Sequence, residues 1–257
     1  MRVMVTGAAA GIGRATAEIL AAEGAEIVAV DRDDPPDTGP STDWTWHRAD
    51  LSDPASIDAV PVERRFDALI SAAGLPPRPG TEAAVLAVNF LGLRRLAERV
   101  IPAMAEGGAL VSLASKAGAG WRGNAAQGKR LMALDDPAAL PRFVADEGID
   151  PVRSYDLSKE AVILWTKART RALQALGLRA NTVSPAAVET AILQDFVTAF
   201  GARATEGTAL MGRPGTAREA AEVAAFLARP ASGWIKGQDI AVDGGLAAIR
   251  DAAALGL

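Results

Sequence analysis

The eight residues Thr6-Gly7-Ala8-Ala9-Ala10-Gly11-Ile12-Gly13 constrain this chain more than any other stretch. Before them, residues 3–6 form a short apolar run rich in β-branched side chains. After them, residues 14–23 carry Ala15, Ile19 and Ala22 on one helical stripe, which Gly24 stops. A strand, a glycine turn and a helix in that order open a dinucleotide-binding βαβ unit. Glycines let the backbone turn sharply and approach a pyrophosphate without Cβ clashes. The helix then offers its N-terminal N–H groups and positive dipole end to the phosphates. Residues 26–31 are nearly all apolar, as in a strand buried on both faces of a parallel sheet. Asp31 ends that strand, 18 residues after Gly13. A carboxylate there accepts hydrogen bonds from ribose hydroxyls and repels a 2′-phosphate, which favours NAD over NADP, although Arg32 beside it could hold that phosphate.

Strand and helix patterns alternate over the rest of the chain. Further strands are expected at 47–51, 66–71, 109–114, 178–183 and 239–242. Helices are expected at 81–104, closed by Gly107-Gly108, at 152–176 and at 216–228, with Ser52-Asp53-Pro54 as another helix start. Residues 33–43 read as loop. The pattern predicts an α/β chain: a single-domain Rossmann fold over residues 1–257, with a doubly wound, mostly parallel seven-stranded sheet and helices on both faces. Residues 120–150 are polar at first, then mildly helical, with no strand signal. They are expected to form an insertion on one edge of the domain.

Composition narrows the chemistry. The chain has no cysteine and a single histidine, His47, which excludes disulfides, thiolate metal sites, thiol nucleophiles and a Ser-His-Asp triad elsewhere. No acidic cluster suggests a metal site. A net charge of −4 over 257 residues gives no electrostatic case for nucleic acid. No apolar run reaches spanning length and the first residues lack a secretory pattern, so a cytoplasmic protein without a membrane partner is expected.

Tyr155, the only tyrosine, stands four residues before Lys159 on the expected long helix, so both share one face. A cation alongside a phenol favours the phenolate. A tyrosine so tuned can take a proton from an alcohol, or return it to a carbonyl, while hydride moves to or from nicotinamide.

These residues resemble the short-chain dehydrogenases/reductases, and the resemblance covers essentially the whole chain. Thr6 to Gly13 and Tyr155-x-x-x-Lys159 are that family's two signatures. The resemblance implies a catalytic set of Ser115, Tyr155, Lys159 and Asn89. Ser115 would donate a hydrogen bond to the substrate oxygen, with Ser112 as a competing candidate, and Asn89 would hold a water near Lys159. It implies NAD as cofactor, bound by Gly7, Ala10, Gly11, Ile12, Gly13, Asp31, Arg32, Asp50, Leu51, Ala72, Ala73, Gly74, Tyr155, Lys159, Pro185, Val188 and Thr190. Two positions depart from the family pattern. Ser71-Ala72 stands where the family has Asn-Asn, which touches the bracing of the fourth strand, and Ala186 replaces a glycine beside the expected nicotinamide seat.

Ser115 and Tyr155 are 40 residues apart, where the family usually has about a dozen. The 120–150 insertion fills that gap. It resembles the subgroup that holds 3α-hydroxysteroid dehydrogenase/carbonyl reductase and, more closely, the bacterial coniferyl-alcohol dehydrogenases. That implies an NAD-dependent oxidoreductase acting on an aromatic, coniferyl-type alcohol. A hydroxysteroid dehydrogenase/carbonyl reductase is the second reading. A non-catalytic NAD-binding sensor or scaffold is the third; it would need no such catalytic set. Trp121, Phe196 and Phe200 are expected to wall the substrate with Ser115. Phe196, Val197 and Phe200 would sit on a mobile lid. The family habit of pairing implies a homodimer or homotetramer, with the insertion favouring the dimer.

Overall fold

A computed structural model describes residues 1–35, 43–62 and 65–257. The loop expected at 33–43 therefore lies outside the described residues from 36 to 42. Strands β1 (Arg2–Thr6), β2 (Glu26–Asp31), β3 (Thr45–Arg48), β4 (Phe66–Ser71), β5 (Met104–Leu113), β6 (Arg179–Pro185) and β9 (Asp239–Val242) form one sheet. Its order is β3-β2-β1-β4-β5-β6-β9, with every neighbouring pair parallel. Two short strands, β7 (Val188–Glu189) and β8 (Gly215–Thr216), pair separately. The chain winds outward from β1 to β3 and then returns to β4 on the other side. That reversal opens a crevice at the carboxyl ends of β1 and β4.

Period-two alternation sends β1 side chains to both faces. Val3 and Val5 pack with α1 (Gly11–Ala22) and α10 (Ala217–Ala228) through Ala17, Leu20, Ala221 and Ala224. Met4 faces the opposite layer. That layer holds α3 (Glu82–Leu86), a π-helical turn at Ala87–Gly92, α4 (Leu93–Val100) and α7 (Pro151–Ala175). The short α2 (Pro54–Asp58) starts on Asp53, whose carboxylate accepts from Ala55 N–H at 2.9 Å. No helix among the described residues is long and apolar enough to cross a membrane.

Three local expectations are corrected. The third strand sits at 45–48 rather than 47–51, because Asp50 accepts from both Ser52 N–H (2.8 Å) and its hydroxyl (2.7 Å) and turns the chain there. The long helix stops at Val100. Ile101-Pro102-Ala103 tightens into a single 3₁₀ turn, and the strand begins at Met104, before the two glycines rather than after them. Gly107, at φ 78°, lies in a bulge between the pairs Phe66–Met104 and Ala68–Ala109.

The insertion lies against one helical layer. Its helices α5 (Ala125–Met132) and α6 (Leu140–Asp146) roof the α3–α4–α7 layer, where Leu131, Leu140 and Ile149 join the core. Polar groups fix the seat. Arg94 donates to Met132 O (2.7 Å) and Leu134 O (2.6 Å), and buried Glu160 on α7 accepts from Asn124 and Arg153, both at 2.6 Å.

Candidate active site

The β1–α1 turn is built for close backbone approach. Gly7 adopts φ 69°, and a Cβ there would come within 2.8 Å of Ala73 N. A Cβ on Gly13 would meet Gly7 O at 2.2 Å, so the helix can seat against the turn only without one. Thr6 completes the joint, its hydroxyl accepting from Ala72 and Ala73 N–H at 3.1 Å each. That brace serves the segment where Ser71-Ala72 departs from the family pattern. The N-terminus of α1 has no side-chain cap and no acidic residue in its first turn. Its free N–H donors and dipole line the crevice at Gly11, Ile12 and Gly13. Asp31 accepts from Ala9 N–H (2.9 Å) and Asp33 N–H (3.1 Å), which fixes its carboxylate at the same crevice. Arg32 reaches Asp33 at 3.7 Å. An uncapped helix start, a glycine cradle and an anchored carboxylate fit a dinucleotide.

The crevice has a volume of about 410 Å³ and runs without a break from Asp31 to Tyr155 and beyond. Every residue expected to touch the cofactor lines it, and so do Ser115, Phe196 and Phe200. Ser115 follows β5 and caps the 3₁₀ turn Lys116–Arg122, its Oγ accepting from Ala117 N–H at 3.2 Å. Tyr155 and Lys159 come from one face of α7, a helix capped by Asp150. Ser115 stands near enough to the Tyr155 hydroxyl to favour its ionised form. Lys159 Nζ donates to Leu113 O at 2.9 Å and lies 5.5 Å from the centroid of the Tyr155 ring.

Electrostatics reverse one expectation. The Tyr155 phenol is raised, not lowered, above its ordinary value. Burial is the main cause; Ser115 opposes it and the Asp156 carboxylate adds to it. Burial also lowers the Lys159 ammonium to about 8. The protein alone therefore desolvates both groups before it tunes them.

One further expectation is corrected. Trp121 is not on the crevice wall. Its ring packs on the main core between Arg122 (4.3 Å) and Lys167 (5.1 Å), because the 3₁₀ turn carries it to the outer side of α7. Asn89 is fully buried behind the crevice. Its Oδ1 accepts from Leu75 N–H (2.7 Å), and its Nδ2 donates to Leu75 O (3.0 Å) and to Ser158 Oγ (3.3 Å). The π-helical turn, a common device at functional sites, aims Asn89 at the loop after β4 and so braces it.

The cover over the crevice takes in more of the chain than Phe196, Val197 and Phe200. α8 (Leu193–Phe200) and α9 (Ala202–Met211) together cover the far end of the crevice, with α11 (Leu246–Leu255) beside them. Phe196 stands edge-on to Tyr155 at 5.0 Å and Phe200 at 6.0 Å. Two ion pairs tie the lid down: Arg78–Asp195 at 2.8 Å and Arg203–Asp156 at 2.7 Å. The sequence carried no local signal for Arg203, Met211, Leu246 or Arg250, which reach the crevice only through tertiary packing.

Comparison with known proteins agrees with this geometry. The family model described as short chain dehydrogenase matches residues 1–126, and the one described as enoyl-(acyl carrier protein) reductase matches residues 140–247. The gap between them falls inside the insertion. The chain is 34% identical to coniferyl-alcohol dehydrogenase from Pseudomonas sp. (strain HR199 / DSM 7063), over 96% of each chain. It is 29% identical to 3-alpha-hydroxysteroid dehydrogenase/carbonyl reductase from Comamonas testosteroni, again over 96% of each. Among solved structures, the 3-alpha-hydroxysteroid dehydrogenase from Pseudomonas sp. B-0831 complexed with NADH superposes with a TM-score of 0.82. It is 29% identical, with coverage of 98% of this chain and 99% of that one.

Proposed function

Because this chain belongs to the short-chain dehydrogenase/reductase family and is thereby an NAD(P)-dependent oxidoreductase, we propose that it uses NAD to interconvert an aromatic, coniferyl-type alcohol and its carbonyl. The observation that carries this reading is the meeting of Ser115, Tyr155 and Lys159 on one crevice, continuous with the Gly7–Gly13 cradle. Tyr155 takes the alcohol proton in oxidation and returns it in reduction. Ser115 donates to the substrate oxygen and stabilises its developing charge. Lys159, charged below about pH 8, supplies the positive charge that favours the phenolate. A bound nicotinamide supplies the hydride acceptor or donor. Asn89 acts on the site through Leu75 and Ser158. Residues 1–257 work as one Rossmann-type domain.

Asp31 supports NAD over NADP, since its anchored carboxylate repels a 2′-phosphate. Phe196 and Phe200 beside Tyr155, and the likeness to coniferyl-alcohol dehydrogenase, support an aromatic substrate. The 0.82 superposition supports a hydroxysteroid as the second reading. NADH production from coniferyl alcohol and from a 3α-hydroxysteroid, measured in parallel at alkaline pH, separates the two. Coniferyl alcohol is expected to be the better substrate. Tyr155→Phe is expected to lower kcat by about 10³-fold while NADH still binds. A variant that keeps full turnover would overturn the assignment, and wild-type protein that binds NAD but oxidises neither alcohol would point to the sensor. By titration, NADP is expected to bind far more weakly than NAD, and equal affinities would remove Asp31 from its role.

A further inference from the structure

The substrate end of the crevice has a charge opposite to that of the whole chain, whose net charge is −4. The acidic lining residues, Asp31, Asp33 and Asp50, all lie at the end marked by the β1–α1 turn. Beyond Tyr155 the charged lining residues apart from Lys159 are Lys116, Arg203 and Arg250. Two of them are occupied. Lys116 lies 3.4 Å from Asp243, and Arg203 pairs with Asp156 while resting over the Phe200 ring at 4.7 Å. Arg250, on the exposed face of α11, has neither a hydrogen bond nor an ion pair among the described residues. A Cβ on Gly207 of α9 would stand 3.9 Å from its Nη2, so the helix offers only a glycine beside the guanidinium. Apolar Met211 and Leu246 continue the wall that Phe196 and Phe200 begin.

An apolar wall that ends in an unpaired guanidinium matches an apolar molecule that ends in an anion. A guanidinium holds a carboxylate through two parallel, charge-assisted hydrogen bonds, whereas a neutral ligand would leave it to water. We propose that the substrate is an alcohol with an apolar body and a carboxylate at the end remote from the reacting carbon, and that Arg250 binds that carboxylate. The inference rests on the dehydrogenase reading and narrows its substrate class.

The test uses para-(hydroxymethyl)benzoate and its two-ring biphenyl homologue, each beside its methyl ester, with NAD as oxidant. The readout is the ratio of kcat/KM for acid over ester. Wild-type protein is expected to prefer the acid at the length that reaches Arg250. The ratio is expected to fall about tenfold in Arg250→Gln and to recover in part in Arg250→Lys. Added salt should lower the ratio in wild type. Preference for the ester at both lengths, or an unchanged ratio in Arg250→Gln, overturns the carboxylate assignment and leaves the dehydrogenase reading standing. Failure to oxidise all four compounds and coniferyl alcohol sinks the dehydrogenase reading, and this inference with it.

Discussion

Lys159 is buried against the Leu113 carbonyl, and its ammonium is lowered from 10.5 to about 8. The folded protein therefore releases this proton above pH 8, while the unfolded chain holds it until 10.5. Between those values the unfolded state binds more protons, so stability rises with pH; below pH 8 the full penalty of a buried charge remains. Lys159→Met is expected to abolish turnover and yet to stabilise the protein at pH 7 by roughly 2 kcal/mol, after loss of the bond to Leu113. The gain should disappear by about pH 10.5, as thermal melts at several pH values would show. The pairing of Tyr155 with Lys159 was legible because helical spacing alone puts them on one face. The balance of burial over charge was not, since spacing says nothing of desolvation. Asn89 was legible as a position, but its partners Leu75 and Ser158 depend on a π-helical turn that no local pattern announces.

The sheet was legible wherever strands are buried on both faces, as in 26–31 and 66–71, because continuous apolar runs bounded by turns permit little else. It was misjudged where a short-range hydrogen bond or a proline decides the boundary, at Asp50 and Pro102. The insertion was recognised by its length, but its docking surface was hidden. Leu131, Leu140 and Ile149 are too widely spaced to mark a face until α5 meets α7 and α6 meets α3. Its polar anchor is Glu160, whose side chain is 1% exposed and accepts from Asn124 and Arg153. Glu160→Leu would leave the Asn124 amide and one arm of the Arg153 guanidinium without their partner. It is expected to cost about 3 kcal/mol and to lower Tm by roughly 8 °C in a calorimetric scan. An unchanged melt would mean that apolar packing alone holds the insertion.

With α5 and α6 laid over the α3–α4–α7 layer, that helical face is no longer free for another copy of the chain. The opposite end remains open: β9 is an edge strand, Trp234 beside it is 94% exposed, and Phe226 on α10 is exposed. A dimer across that edge is expected rather than a tetramer, and light scattering at several concentrations would show it. The lid has a consequence of its own. No side chain of α8 is buried, and its phenyl groups already rest on the Tyr155 ring. The pocket thus has resident tenants tethered to its own backbone. An incoming molecule competes with them and wins only if it offers Tyr155 as much contact as they do. Very small alcohols are expected to compete poorly, so kcat/KM should rise with the apolar area of the alcohol, as a series of lengthening alcohols would show.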